Sequence, residues 1–138
     1  GYVLALEASP LLALLTRRGM ATYAHPTTPA ITRAMRRVHV DNARYQAVLP
    51  SLAERSFDIV YFDPMFDRTI DLANGLDLVR NLAHPGGPSA DDIAQARRVA
   101  RRCVVMKDRM PGHALAELGF ALVKKSRRFA YGLIDCPA

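Results

Sequence analysis

Short apolar segments alternate along the chain with stretches of helical periodicity. The run Phe57-Asp-Ile-Val-Tyr-Phe62 is the clearest strand, because it is aromatic and β-branched and is followed by Asp63-Pro64. The run Tyr2-Val-Leu-Ala-Leu6 is continuously apolar, which is typical of a strand buried on both faces. The predicted strands, in chain order, are 2–6, 38–40, 57–62, 103–106, 120–124 and 129–134.

Helix signals fill most of the intervals between these strands. Ser9 predicts an N-cap and Pro10 a first helical turn, for a helix that we expect Gly19 to stop. Ser89 predicts the N-cap of a later helix with two aspartates in its first turn. Further helices are predicted over 31–36, 45–54 with a distortion at Pro50, 67–82 and 114–118, with loops over 24–29 and 84–88.

Alternation of this kind predicts βαβ units, and therefore a doubly wound, mostly parallel α/β sheet with helices on both faces. The last two predicted strands are separated by too few residues for a crossover helix. We expect them to form an antiparallel hairpin at the edge of the sheet. The length of 138 residues predicts a single domain over 1–138.

Composition narrows the class of protein. Half of the residues are apolar and 23% are charged, which favours a packed domain over a disordered tail. No apolar run reaches the roughly 18 residues that a membrane span requires, so no membrane association is expected. The two cysteines lack the spacing of metal ligands or of a disulfide scaffold, which predicts a reducing, cytoplasmic setting without a bound metal.

The chain is basic, with a formal net charge of +6. A basic surface attracts polyanions because phosphate contacts release counterions, so nucleic acid is the expected partner. Most of the basic residues fall in four clusters, 17–18, 33–37, 97–102 and 124–128.

Polar residues that follow the predicted strands are the candidates for chemistry, since ligands of open α/β sheets bind at the carboxyl ends of strands. Glu7 follows the first strand, where a carboxylate accepts two hydrogen bonds from a ribose diol. Asn42 follows the second strand, where an amide meets an adenine edge.

Asp63-Pro64-Met65-Phe66 is the most specific signal, because it places a carboxylate, a proline carbonyl and an aromatic ring within four positions. Such a set suits a planar base that bears an exocyclic amine. The carboxylate and the carbonyl accept hydrogen bonds from the amine, while Phe66 stacks on the base.

Taken together, four segments resemble the class I S-adenosylmethionine-dependent methyltransferases, and more narrowly the RsmJ-like enzymes that methylate the N2 amine of a guanine in 16S ribosomal RNA. The Asp-Pro-Met-Phe tetrapeptide is a variant of the Asn/Asp-Pro-Pro-Tyr/Phe motif of amino methyltransferases. The segments are Glu7-Ala8-Ser9-Pro10, Asn42-Ala43, Val60 to Phe66 and Cys103 to Lys107.

The resemblance implies a Rossmann-like fold, S-adenosylmethionine as cofactor and ribosomal RNA as substrate. It implies that Glu7 and Ala8 bind the ribose of the cofactor and that Asn42, Ala43, Arg44 and Tyr45 line its adenine surface. Asp63 would lie between the cofactor and the target amine, with catalytic roles shared by Asp63, Pro64 and Phe66. Met65 and Phe66 would shape the base pocket, and Lys107 and Arg128 would face RNA.

Departures from the family keep two alternatives open. The chain starts at what would be the second strand, so we expect the first strand and the Gly-rich loop to precede Gly1. Asp108-Arg109 stands where the relatives have Arg-Pro after the lysine. The alternatives are a non-catalytic RNA-binding relative of the same fold and an NAD-dependent oxidoreductase, because Glu7 would serve a dinucleotide equally well.

Overall fold

The computed structural model describes residues 1–64 and 86–137, which form an α/β structure of short helices with a two-stranded and a four-stranded sheet. The described residues fall into two compact units, the first over 1–47 and the second over 48–64 and 86–137. The strands are β1 Val3–Glu7, β2 Val38–Asn42, β3 Phe57–Phe62, β4 Ala100–Arg109, β5 Ala121–Lys125 and β6 Phe129–Asp135. The helices are α1 Pro10–Thr22, α2 Pro29–Met35, α3 Tyr45–Val48, α4 Ala90–Val99 and α5 His113–Glu117, with a 3₁₀ turn at Leu49–Ser51.

In the first unit, β1 and β2 pair in parallel, in a register that runs from Val3 opposite Val38 to Glu7 opposite Asn42. Helix α1 packs on both strands and buries Ala13 against the sheet, where Val40 is also buried. The expectation that β1 is buried on both faces is wrong: Val3 is 52% exposed and the rest of β1 is half-buried. The physical reason within the described residues is that only α1 covers the β1–β2 pair.

Helix α1 begins as predicted and ends later than predicted. The Ser9 hydroxyl accepts the N–H of Leu12, and Pro10 occupies the first turn. Gly19 does not stop the helix, because a helix interior tolerates a glycine at a cost of about 1 kcal/mol. The last turn is closed instead by the N–H of Tyr23, which donates to the carbonyl of Gly19.

The second unit contains a four-stranded sheet in the order β3-β4-β6-β5. Strands β3 and β4 are parallel, and both pairs that involve β6 are antiparallel. The predicted antiparallel hairpin at the sheet edge is thereby confirmed as β5–β6. Strand β4 is longer than predicted because it pairs with β6 from Cys103 to Arg109, beyond the end of its apolar run.

The core of the second unit lies on one face of this sheet. Helices α4 and α5 both pack on β4 and cover that face. The buried side chains are Phe62, Ile93, Ala96, Val99, Val104, Met106, Leu115, Phe120 and Ala130. Burial of this apolar set is the main stabilising contribution to the unit.

Local signals explain most of the remaining helices. Ser89 and Asp92 form a capping box at the start of α4, as the sequence predicts. The helix predicted over 45–54 is broken where Pro50 enters the 3₁₀ turn, and it ends at Ser51. The helix predicted over 67–82 lies outside the described residues, as does the first part of the loop predicted over 84–88.

Gly132 of β6 marks the closest approach between the sheet and α5. A Cβ built on Gly132 would lie 2.6 Å from the Cβ of Phe120 and 2.8 Å from Cδ2 of Leu115. Both neighbours are buried, and a Cβ atom cannot move without its backbone. The position therefore requires a residue without a side chain.

We expect Gly132→Ala to destabilise the protein by about 1–3 kcal/mol, because the added methyl group overpacks the core. Gly19→Ala is the matched control, since its Cβ would meet nothing within 4 Å and alanine is the better helix former. Urea unfolding measures both variants. The packing explanation fails if the two substitutions shift the midpoint in the same direction by similar amounts.

Candidate functional site

The carboxyl ends of β1 and β2 are joined by hydrogen bonds around Glu7 and Asn42. Nδ2 of Asn42 donates to the carbonyl oxygens of Glu7 at 2.9 Å and Ala8 at 3.2 Å. The N–H of Ala43 donates to the carbonyl of Glu7 at 3.1 Å. Four residues predicted to bind the cofactor are thus brought together at one end of the first unit.

The Glu7 carboxylate is held at the start of α1. The N–H of Ser9 donates to Oε1 of Glu7 at 2.8 Å, which orients a half-buried side chain. No hydrogen bond to Oε2 is recorded from residues 1–64 or 86–137. A carboxylate oriented through one oxygen retains acceptor capacity for the two hydroxyls of a vicinal diol.

The side-chain amide of Asn42 likewise uses only its donor group within the protein. Its two donor hydrogens go to the Glu7 and Ala8 carbonyls, so the side chain offers a ligand the acceptor Oδ1 rather than the N–H₂ group. The backbone N–H of Ala43 is also taken. Arg44 is exposed and Tyr45 begins α3, directly after this cluster.

In the second unit, the carboxyl ends of β3 and β4 bring Asp63 and Lys107 into contact. Nζ of Lys107 lies 3.0 Å from Oδ1 and 3.4 Å from Oδ2 of Asp63. The lysine side chain is 20% exposed and the aspartate side chain 48%. Nζ also lies 4.6 Å from the centroid of the Phe129 ring, a cation–π contact.

Tyr61 completes this arrangement. It lies two residues before Asp63, close enough for the Asp63 carboxylate to affect its ionisation. Burial, then the negative charge of Asp63, raises the pKa of Tyr61 to about 12. The phenol is therefore protonated throughout the physiological pH range and lies near the carboxylate that Lys107 binds.

Sequence reasoning missed Tyr61 and the direct pairing of Lys107 with Asp63. Part of the signal was present in the sequence, because Asp63 and Lys107 each directly follow an apolar run. The parallel register, in which Phe62 is opposite Met106, brings these two charged residues side by side. Residues two apart on a strand share a face, which places Tyr61 beside Asp63. The predicted role of Lys107 in facing RNA stays a prediction.

The other residues of the Asp63 motif are placed only in part. Pro64 is half-buried, and Met65 and Phe66 lie outside the described residues. Arg128 is exposed, and its carbonyl accepts the N–H of Met110. The convergence of Glu7 and Asp63 on a single cleft stays a prediction.

Asp108 has a structural role. Its Oδ2 accepts the N–H groups of Ala114 at 3.0 Å and Leu115 at 3.4 Å, and its Oδ1 accepts the N–H of Arg109 at 2.7 Å. The carboxylate therefore satisfies backbone donors in the first turn of α5, where negative charge is favourable. Gly112, at a φ of 91°, precedes that helix in a left-handed conformation.

Several arginines of the basic clusters bind backbone carbonyls rather than facing solvent freely. The guanidinium of Arg17 donates to the carbonyl of Val40 at 3.0 and 2.9 Å. Arg36 donates to the carbonyls of Met20 and Tyr23. Arg98 donates to three carbonyls around the 3₁₀ turn, those of Leu49, Pro50 and Leu52.

No group of three or more His, Cys, Asp or Glu side chains in 1–64 and 86–137 is placed to hold a metal ion. No helix within the same ranges is long and apolar enough to cross a membrane.

The titration of Tyr61 tests the contact with Asp63. We expect Asp63→Asn to lower the pKa of Tyr61 from about 12 while leaving it above 10, because burial is the larger cause. The difference in ultraviolet absorbance between each protein and its Tyr61→Phe counterpart isolates this phenol from the other four tyrosines. Asp58→Asn, on the same strand, is the control and should leave the pKa of Tyr61 unchanged; an equal shift in both variants would contradict the contact.

The raised pKa of Tyr61 also determines how the stability of the folded protein changes with pH. An unfolded tyrosine loses its proton near pH 10, whereas folded Tyr61 keeps its proton to about pH 12. The stabilising contribution of this group is therefore present below pH 10 and is lost as the pH rises toward 12.

Comparison with known proteins gives one curated relative and no family assignment. The chain is 33% identical over 136 residues to the uncharacterized protein YpiP of Bacillus subtilis. The match covers 98% of the chain and 52% of YpiP, so the chain spans about half the length of that relative. No known family model matches the chain, and no solved structure matches it.

Proposed function

We propose that this chain is part of an S-adenosylmethionine-dependent methyltransferase that N-methylates the exocyclic amine of a guanine in ribosomal RNA. The observation that carries the proposal is the Asp63 carboxylate at the end of β3, held by Lys107 at 3.0 Å beside the phenol of Tyr61. A carboxylate fixed in this way, followed by Pro64, is suited to accept hydrogen bonds from an amine.

The strand order supports the finer, Rossmann-like version of the fold. In the doubly wound strand order 3-2-1-4-5, strands 2 and 3 form one parallel pair and strands 4 and 5 form another. This chain has the same succession of pairs, since the parallel pair β1–β2 is followed along the chain by the parallel pair β3–β4.

The first unit offers groups that fit the nucleoside part of the cofactor. The Glu7 carboxylate is oriented by the N–H of Ser9 and retains acceptor capacity for ribose hydroxyls. Oδ1 of Asn42 is an acceptor suited to the exocyclic amine of adenine, because the Nδ2 donors are already engaged. Ala8, Ala43, Arg44 and Tyr45 adjoin these two side chains and are proposed to line the rest of the nucleoside.

When bound, S-adenosylmethionine supplies an electrophilic methyl group on a sulfonium. The guanine nitrogen is a poor nucleophile because its lone pair is delocalised into the ring. Asp63 and the carbonyl of Pro64 accept hydrogen bonds from the amine and favour a pyramidal nitrogen, and we propose that Met65 and Phe66 hold the base. Methylation of the nitrogen would release one proton, which Asp63 or water would accept. Positioning and electrostatics supply most of the rate enhancement.

A second candidate is an RNA-binding relative without methyl transfer. It is favoured by the exposed basic segment 124–128, which serves RNA binding whether or not a cofactor is present. Calorimetry with S-adenosylmethionine separates the two functions, since a binding module would give no heat. An NAD-dependent oxidoreductase is disfavoured by the antiparallel β5–β6 hairpin, which an ordinary dinucleotide-binding domain lacks.

A cytoplasmic location is part of the proposal. It follows from a ribosomal RNA substrate and agrees with the two free cysteines, Cys103 and Cys136.

We expect Glu7→Gln to weaken S-adenosylmethionine binding by about 10- to 100-fold, because hydrogen bonds to a charged acceptor contribute about 1.5–3 kcal/mol. Calorimetric titration measures the dissociation constant. Glu54→Gln removes a comparable charge from an exposed site and should leave it unchanged. Equal affinities in wild type and Glu7→Gln would remove Glu7 from the site.

We expect Asp63→Asn to reduce kcat by about 100-fold with little change in cofactor affinity, because the amide replaces one acceptor oxygen by a donor. Transfer of a labelled methyl group to RNA measures kcat, and calorimetry measures cofactor affinity. Asp58→Asn serves as the control. Equal losses of turnover and of cofactor affinity would contradict the catalytic role of Asp63.

A further inference from the structure

The turn of the β5–β6 hairpin carries the densest uncompensated charge among the described residues. We call residues 124–128, Lys-Lys-Ser-Arg-Arg, the basic tip. All five residues are exposed. The ion pairs recorded in the described residues join His39 to Asp41, Arg101 to Asp58 and Lys107 to Asp63, so none involves the basic tip.

Each of the other three clusters has at least one arginine that is engaged within the fold. Arg17, Arg36 and Arg98 each bind backbone carbonyls, and Arg101 pairs with Asp58. These contacts stabilise the fold. The four side chains of the basic tip make no recorded hydrogen bond, so their mutual repulsion is not offset within the described protein.

Ser126 gives the basic tip a defined shape. The N–H of Ser126 donates to the carbonyl of Phe129 at 2.8 Å, and its hydroxyl oxygen accepts the N–H of Phe129 at 3.0 Å. The N–H of Met110 donates to the carbonyl of Arg128 at 3.0 Å and ties the turn to the end of β4. The four charges are therefore presented by an ordered turn, which reduces the entropy lost when a ligand binds.

Aromatic rings share a sheet face with one end of the basic tip. Lys124 is opposite Tyr131 in the β5–β6 register, and Tyr131 is opposite Lys107 in the β4–β6 register. Residues that are paired across neighbouring strands point to the same face of a sheet. Tyr61 is opposite Val105, which lies two residues before Lys107 on β4, so Tyr61 is on this face as well. Tyr61 is 51% exposed. Tyr131 is close enough to Tyr61 to raise the pKa of Tyr61.

We propose that the basic tip and this face, with Tyr61 and Tyr131, bind single-stranded RNA. The four cations contact successive phosphates, and the two rings stack on bases. Tyr61 is exposed and Tyr131 is half-buried, and cations beside accessible aromatic rings are the combination that single-stranded nucleic acid requires. Residues 124–128 carry no apolar side chain that would enter a membrane. The inference rests on the proposed RNA substrate and adds the surface that recognises it.

The test measures binding of the full chain, without cofactor, to a fluorescent single-stranded RNA of about 12 nucleotides at several salt concentrations. Each phosphate contact to a single strand contributes about 0.7 to the slope of log Kd against log salt, so the basic tip contributes about 2.8. We expect the variant with Gln at 124, 125, 127 and 128 to lose that part of the slope. For a fourfold rise in salt, this contribution of about 2.8 corresponds to a loss of affinity of about 50-fold.

A matched control removes the same four charges elsewhere. Arg18, Arg33, Arg37 and Arg97 are exposed and have no recorded hydrogen bond or ion pair from their side chains, and all four are replaced by Gln. This control should retain the slope. Equal losses in the two variants would mean that net charge alone attracts RNA, and an unchanged slope in the basic-tip variant would overturn the proposal directly.

The rings are tested separately by Tyr61→Leu and Tyr131→Leu. Each should weaken binding by about 10-fold, with the salt slope unchanged, and duplex RNA of the same sequence should bind more weakly than the single strand. Unchanged affinity in both variants, or equal binding of duplex, would overturn the stacking contacts. Binding to phosphatidylglycerol vesicles that depends on the basic tip and exceeds RNA binding would assign this surface to a membrane instead.

Failure of this inference is distinguishable from failure of the proposed function. If the chain binds RNA through the basic tip but transfers no methyl group, the proposed methyltransferase activity is wrong and the RNA-binding surface stands. If a basic-tip variant methylates RNA with an unchanged KM, the RNA-binding surface is wrong and the methyltransferase activity stands.

Discussion

Strand β4 is hydrogen-bonded on both sides, to β3 in parallel and to β6 in antiparallel, and the second unit depends on this double pairing. Its inward residues Val104 and Met106 are almost completely buried under α4 and α5. The parallel pairing ends β3 and β4 at the same level, which brings Asp63 and Lys107 together. The antiparallel pairing places Phe129 and Tyr131 beside the same lysine. One strand thus organises both the core and the polar cluster.

Much of the secondary structure could be predicted because its causes are local. The Ser9-Pro10 cap, the Ser89 capping box and the apolar run 57–62 act within a few residues, and the structure has all three. The end of α1 could not be predicted from Gly19, since a helix interior tolerates a glycine when later residues continue to supply hydrogen bonds. The length of β4 depended on its partner β6, which is a tertiary effect that the apolar pattern of 103–106 does not contain.

The candidate site divides in the same way. Residue types at strand ends predicted Glu7, Asn42 and Asp63, because parallel strands deliver their carboxyl ends to one edge. What each side chain still offers a ligand depended on contacts that the sequence does not show. Asn42 uses its donors on two carbonyls, Asp63 is paired with Lys107, and Asp108 satisfies the first turn of α5. These contacts decide whether a group acts as acceptor, partner or cap.

The missing side chain of Gly132 also determines the orientation of β6. A slip of one residue in the pairing of β6 would turn Tyr131 or Leu133 toward Leu115 and Phe120, where there is no room even for a methyl group. The opposite face of the strand consequently has to carry Tyr131. The tight packing at Gly132 therefore specifies which ring lies on the opposite face of the sheet, and a larger residue at this place would weaken the preference for this strand alignment.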